Sequence, residues 1–86
     1  MTVSSTRRGA VRVVSVDGDV SSVAALVELR SALSSLAFTE EVPVVVDLTG
    51  ATGITPAVER LLDRESRVMA HRGVILTVQT TRPAPV

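Results

Sequence analysis

One stretch in the middle of the chain, residues 44–56, most constrains the fold; it reads Val-Val-Val-Asp-Leu-Thr-Gly-Ala-Thr-Gly-Ile-Thr-Pro. Three consecutive β-branched residues flanked by turn formers are typical of a strand buried on both faces, as in parallel sheets. A loop with two glycines follows, then Thr55 as a predicted N-cap and Pro56 at the first helical position. Sites in open α/β sheets gather where strands end and helices begin, so this junction is where we expect a functional site.

Composition limits the class of protein. The 86 residues predict one small domain, and its core must be aliphatic because Phe38 is the only aromatic residue. The net charge is zero, which favours neither a nucleic acid nor an anionic membrane as partner. No apolar run approaches the roughly 20 residues that a transmembrane helix needs. We therefore expect a cytoplasmic protein.

The segments before the central strand have distinct characters. Residues 10–16 are rich in β formers, residues 17–19 are a turn signal, and Val20 starts a short second strand that would make a hairpin with the first. A strand is predicted again near the end, at residues 74–78. The predicted organisation is a flexible N-terminal tail (1–9), a single domain (10–78) and an irregular C-terminal tail (79–86).

Two helices are predicted from apolar spacing. The second spans residues 56–72, with Gly73 as its C′ residue. Glu65 falls inside its apolar stripe, so either the helix is uncovered there or Glu65 has a partner such as Arg72. The first helix starts near Ser22 and carries a leucine stripe with 3-4-3 spacing (Leu26, Leu29, Leu33, Leu36). The order β-β-α-β-α-β predicts an α/β fold: a small mixed, mostly parallel sheet with helices packed against it.

Residues that could carry chemistry are few. His71 is the only histidine, and the sequence supplies no partner for a catalytic or metal role. The glycines at 50 and 53 lack the lysine of a phosphate-binding Walker motif. Turn chemistry accounts for Asp17 and Asp19. We expect no catalytic residue, no bound metal and no cofactor, and we expect that the protein is not an enzyme.

Two segments resemble a known family. Val-Asp-Gly-Asp-Val-Ser (residues 16–21), a leucine-rich helix, and Val-Val-Val-Asp-Leu-Thr-Gly-Ala-Thr (residues 44–52) are similar to STAS domains, the bacterial anti-sigma factor antagonists and related domains of sulfate transporters and stressosomes. The resemblance covers residues 10–78. It implies a domain whose loop motif Asp-Ser-Ser-Gly is phosphorylated on the second serine by a partner kinase, the unphosphorylated form being the one that binds.

The chain departs from the family at that serine. Aligned without a gap, the acceptor position falls on Ala57; with one loop residue deleted it falls on Pro56, and Thr55 takes the place of the first serine. Neither alignment leaves a hydroxyl at the acceptor position. Thr55 is then the one nearby candidate for phosphorylation.

The resemblance implies a STAS-like protein-interaction domain, an antagonist-like regulator of transcription that is not phosphorylated and binds an anti-sigma factor or a serine kinase. The alternatives are a small-ligand or nucleotide-sensing module and a stressosome-type scaffold. The family adds a helix after the last core strand, whereas eight residues remain here, so we also expect an uncovered surface that serves either a partner or a homodimer. The predicted partner-binding residues are Asp47, Thr49, Gly53, Thr55, Pro56, Ala57 and Arg60.

Overall fold

The computed structural model describes residues 1–80, in which strands and helices follow the predicted order β-β-α-β-α-β. Neither helix in this part of the chain is both long and apolar enough to cross a membrane. The elements are β1 (Thr2–Arg8), β2 (Val11–Asp19), α1 (Val23–Thr39), β3 (Val44–Thr52), α2 (Pro56–His71) and β4 (Leu76–Gln79).

The four strands form one mixed, mostly parallel sheet in the order β1-β2-β3-β4, which confirms the predicted fold class. β1 pairs antiparallel with β2, whereas β2, β3 and β4 are parallel. Both crossovers advance in the same direction along the sheet, so right-handed connections place α1 and α2 on one face. On the opposite face the valines of the two central strands are half-buried (Val11, Val13, Val45).

The N-terminal segment is a strand, and the prediction of a flexible tail over residues 1–9 was wrong for Thr2–Arg8. This strand pairs with β2 from Arg8↔Val11 to Thr2↔Asp17, across a two-residue turn in which Gly9 has a φ of 59°. The hairpin therefore uses different strands from those predicted, and residues 17–19 belong to β2. Six of the seven β1 side chains are exposed, so no apolar pattern identified the strand.

The helices bury aliphatic side chains against β2 and β3. Ser22 caps α1, since its Oγ accepts a hydrogen bond of 3.0 Å from the Ala25 amide. The buried side of α1 is Ala25, Leu29, Leu33 and Ala37, and the predicted Leu26 and Leu36 lie half-buried on its flanks. The core contains no aromatic ring, because Phe38 is 81% exposed. The strands contribute Val14, Val16, Val44, Val46 and Leu48 to it.

Glu65 lies between the helices with only 6% of its surface exposed. Its Oε1 accepts a hydrogen bond of 3.3 Å from the hydroxyl of Ser34 on α1. The guanidinium of Arg72 donates to the carbonyl of Ala37 instead. Glu65 thus has a partner, but that partner is a neutral hydroxyl rather than the predicted arginine.

An ion pair joins the end of α1 to the sheet. Nε of Arg12 on β2 donates to Oε2 of Glu40 over 2.9 Å, and Glu40 is almost fully buried. The Arg12 hydrogen bond lowers the pKa of the Glu40 carboxyl below its usual value, against the opposing effect of desolvation. The pair fixes the residue at which α1 ends, because Glu40 is also its C-cap.

The end of α2 is as predicted, and the following strand is displaced. Gly73 has a φ of 78° and donates its amide to the Ala70 carbonyl, as a C′ glycine does. The last strand is Leu76–Gln79 rather than residues 74–78. Of the irregular tail predicted at 79–86, Gln79 belongs to β4, and residues 81–86 lie outside the described residues.

Candidate functional site

The ends of β2 and β3 meet the starts of both helices at one end of the sheet. The Val20 amide donates to the Thr52 carbonyl over 2.9 Å, which joins the connection before α1 to the connection before α2. The two connections therefore form a single surface, as expected for the carboxyl ends of adjacent parallel strands.

Gly53 allows the two connections to touch. Its φ is 69°, and a Cβ at this position would overlap Oδ1 of Asp19 and lie 3.0 Å from Cβ of Ser21. The same Asp19 oxygen accepts a 2.9 Å hydrogen bond from the Ser21 amide. Hydrogen bonds from Ser21, its side chain first and then its backbone, lower the pKa of Asp19. Gly53 is thus required for close approach as well as for backbone conformation.

The first turn of α2 lies beside Gly53. Oγ1 of Thr55 accepts a hydrogen bond of 3.3 Å from the Val58 amide, so Thr55 is the predicted N-cap, and Pro56 opens the helix. Pro56 and Arg60 are exposed, whereas Ala57 is half-buried. The structure brings Gly53, Thr55, Pro56, Ala57 and Arg60 together on one side of the molecule.

Asp47 and Thr49 do not join that group. They alternate along β3 with the buried Val46 and Leu48, so their side chains lie on the face of the sheet away from the helices. Oδ1 of Asp47 accepts from the Thr49 hydroxyl at 2.6 Å and from its amide at 2.9 Å. The hydrogen bond from the Thr49 hydroxyl, and after it the one from the Thr49 amide, lowers the pKa of the Asp47 carboxyl. This local contact stiffens β3 from the opposite face.

Gly50 lies in β3, although the sequence predicts it in the loop. The strand continues to Thr52, and Gly50 pairs with Asp17 of β2. A Cβ on Gly50 would overlap the Asp17 carboxylate. The glycine is therefore needed for close packing of the two strands. Within residues 1–80, no three His, Asp or Glu side chains gather in a way that could hold a metal ion.

Two of the grooves along α2 lie beside its first turns. The first, here called the strand groove, lies between α2 and the β3–β4 edge and has a volume of about 650 Å³. Its rim includes Glu59 and Asp63. Its floor is aliphatic, made by Leu48, Ile54, Leu62, Leu76 and Val78.

The second groove, here called the helix groove, lies between α2 and α1 and is smaller, about 200 Å³. Two of its residues, Ala57 and Arg60, are among the predicted partner-binding residues, and the others are not. The i, i+4 arginines of α2 were the signal that could have revealed it. Its lining is Leu26, Arg30, Ala57, Arg60, Leu61 and Arg64.

No protein family model and no curated protein matches the sequence. Among solved structures, the anti-sigma factor antagonist SpoIIAA in its unphosphorylated form aligns with a TM-score of 0.69 and 15% identity, over 98% of this chain and 76% of SpoIIAA. The chain has the STAS fold. A second match, Mglu, has a TM-score of 0.76 and 21% identity over 94% of this chain, which spans only 20% of Mglu. Both likenesses concern the fold alone.

Proposed function

We propose that this STAS-fold domain is a non-catalytic, bacterial regulator of transcription that acts in the cytoplasm by binding an anti-sigma factor or a serine kinase. The observation that carries the proposal is the junction between β3 and α2. In a fold shared with an anti-sigma factor antagonist, Gly53, Pro56 and Arg60 are exposed at this junction, next to the half-buried Ala57. Exposed loop and helix-start residues held by a rigid sheet are a common form of binding surface.

The contact surface in this proposal is the group from Gly53 to Arg60. Thr55 and Gly53 set the direction in which α2 leaves the sheet, and Pro56, Ala57 and Arg60 touch the partner. Asp47 and Thr49 act indirectly, because their mutual hydrogen bonds hold the end of β3 from the far face.

Binding is constitutive in this proposal. The acceptor position of the family falls on Ala57 or Pro56, and neither side chain carries a hydroxyl. The nearby hydroxyl of Thr55 is half-buried and accepts the hydrogen bond that caps α2. A kinase would have to break this cap to reach Thr55, which costs the helix about 1 kcal/mol.

The helix start is a poor site for a nucleotide phosphate. Pro56 has no amide hydrogen, and the Val58 and Glu59 amides donate to Thr55. Glu59 also places a carboxylate in the first turn, which repels an anion. These features favour a protein partner over the nucleotide-sensing alternative.

The decisive experiment measures binding of Ala57→Asp to the host's anti-sigma factors and serine kinases. The control is Ala24→Asp, which puts the same charge in the first turn of α1. We expect Ala57→Asp to weaken the complex by about tenfold or more, because a carboxylate is desolvated in the contact, and Ala24→Asp to leave it unchanged. Equal binding by both variants contradicts the proposed surface.

The constitutive state is tested by incubating the protein with ATP and each of these kinases, then weighing it. We expect no added mass, and a phosphate on Thr55 would overturn the constitutive mechanism. A rise in melting temperature with ATP or GTP alone would favour nucleotide sensing, since a ligand of the folded state stabilises it by mass action. Large self-assemblies in sedimentation would favour a stressosome-type scaffold.

A further inference from the structure

The helix groove adjoins the proposed contact surface and shares Ala57 and Arg60 with it. Arg60 and Arg64 are one turn apart on α2, and Arg30 faces them from α1. All three side chains are exposed at the surface. The groove therefore extends the junction along α2 as a strip that carries three positive charges.

The guanidinium groups of these three arginines have no ion pair or hydrogen bond within residues 1–80. Acids that could pair with them are placed elsewhere. Asp63 pairs with Arg67 over 2.8 Å, and Glu65 is turned inward to Ser34. Like charges at i, i+4 weaken a helix by about 0.2–0.5 kcal/mol, so the pairing of Arg60 with Arg64 does not stabilise α2.

Apolar side chains lie between the arginines. Leu61 is buried and Leu26 is half-buried. Ala57 is half-buried at the end of the groove nearest the junction. An arginine binds a carboxylate well, because the planar guanidinium can donate two parallel hydrogen bonds to its two oxygens. The groove thus combines carboxylate-binding groups with space for a small apolar side chain.

We propose that the helix groove binds an acidic segment of the partner protein, one that places an apolar side chain between carboxylates. This inference rests on the proposed function and specifies the chemistry of the partner. Three charges without a lining aromatic ring do not suit single-stranded nucleic acid, which stacks its bases on aromatic side chains. Three arginines are also fewer than the clusters of about 4–8 basic residues that anionic membranes attract, so a membrane is not the expected partner.

The test uses a fluorescent helical peptide that carries Glu on one face with a Leu between the acids, and its Gln counterpart. Binding is measured by fluorescence anisotropy for the parent, for Arg60→Glu/Arg64→Glu, and for the control Arg7→Glu/Arg8→Glu, which changes the net charge equally on β1. We expect the Glu peptide to bind the parent and the control alike. The groove variant should lose about tenfold or more, and the Gln peptide should bind weakly.

Equal loss in both double variants would show a non-specific charge effect and overturn the inference. So would binding of an oligonucleotide or of phosphatidylserine vesicles in preference to the Glu peptide. Circular dichroism verifies that each variant is folded, and Arg64→Lys, which keeps the charge, replaces the double variant if that one unfolds. Its expected effect is a smaller loss, because lysine cannot form the two parallel hydrogen bonds.

Failure of this inference is distinguishable from failure of the proposed function. If an anti-sigma factor or kinase binds, and binding is lost with Ala57→Asp but retained by Arg64→Glu, which leaves the proposed Arg60 contact in place, the proposed function stands and the acidic segment is wrong. If none of those proteins binds but the Glu peptide binds through the arginines, the helix groove does bind acidic segments, and the proposed identity of the partner is wrong.

Discussion

The two long sides of α2 have similar aliphatic residues and different surroundings. On one side, Leu61 and Glu65 meet α1, and the helix groove above them is shallow and basic. On the other side, Leu62 and Ser66 border the strand groove, which is about three times as large and carries acids on its rim. One side of α2 is thus covered by α1 and bordered by basic residues, whereas the other borders an open groove with acidic residues on its rim.

The difference shows that topology, rather than hydrophobicity, decides which apolar surface is covered. Each crossover places one helix over the strands that it connects, and both lie on the same face. β4 is an edge strand of the sheet, and α2 lies only on the side of it that faces β3. Val78 on β4 consequently remains 38% exposed among the described residues, although Val46, its partner in register, is fully buried.

The largest expected effect compares Leu33→Ala with Leu62→Ala. Leu33 lies on the buried side of α1 with no exposed surface, so truncation leaves an enclosed cavity and should cost about 3–5 kcal/mol of unfolding free energy. Leu62 borders the strand groove, where the vacated space joins open solvent, and the expected loss is about 2–3 kcal/mol. Urea denaturation followed by circular dichroism measures both. Equal losses would show that the strand groove is closed in solution.

A gain in stability is expected for Glu65→Leu. The buried carboxylate has one neutral partner, Ser34, so an apolar side chain of similar volume should raise the free energy of unfolding by about 1–2 kcal/mol. Glu65→Gln keeps a hydrogen-bonding group and serves as the control. A loss of more than about 1 kcal/mol for Glu65→Leu would instead reveal a charge interaction on the α1 side.

A smaller effect is expected at the ion pair that ends α1. Hydrogen bonding to Arg12 lowers the pKa of Glu40 in the folded state, so its stabilising contribution is complete above the ordinary value of 4.5 and disappears as the pH falls below it. Glu40→Gln should therefore destabilise the protein at neutral pH and lose less stability on acidification than the parent. Parallel curves for the two proteins would contradict this. The pKa values of Asp19 and Asp47 are also lowered, but both residues are present in the two proteins, so their contributions cancel in the comparison.

The smallest effect on stability is expected for Val78→Thr. If the strand groove is open, the native protein should bind a hydrophobic dye, and this substitution should weaken the fluorescence without unfolding the domain. Val68→Thr is the matched control, because Val68 on α2 is 41% exposed outside the groove. Sedimentation checks whether the same surface forms a homodimer. Absence of dye binding in the parent would show that the groove is covered.

The sequence predicted the elements whose signals are local. The start of α1 near Ser22, the cap at Thr55 and the C′ glycine at Gly73 each depend on a few neighbouring residues, and all three are found. Of the leucine stripe, Leu29 and Leu33 are buried. β1 was missed because its stability comes from pairing with β2 rather than from its own composition. The loop before α2 was placed too early, because Gly50 is required by the Asp17 carboxylate of another strand.

The candidate site was predicted in part for the same reason. Thr55, Pro56, Ala57 and Arg60 lie within the N-cap and the first two turns of α2, so their closeness in space follows from the local sequence. Asp47 and Thr49 are also close in sequence, but strand alternation turns them to the opposite face. The helix groove needs Arg30 from a different helix, and no local pattern indicates which helix faces which.

The exposed hairpin of β1 has a consequence for local unfolding. β1 contacts the sheet only through β2, and none of its side chains is fully buried, so it can detach while the core stays packed. We expect its amides to exchange hydrogen through this partial opening, and those of β3, which has a strand on each side, only through global unfolding. While β1 is detached, the edge of β2 is unpaired and can accept a strand from another molecule. The hairpin is therefore both the protection of that edge and the part of the sheet that opens first.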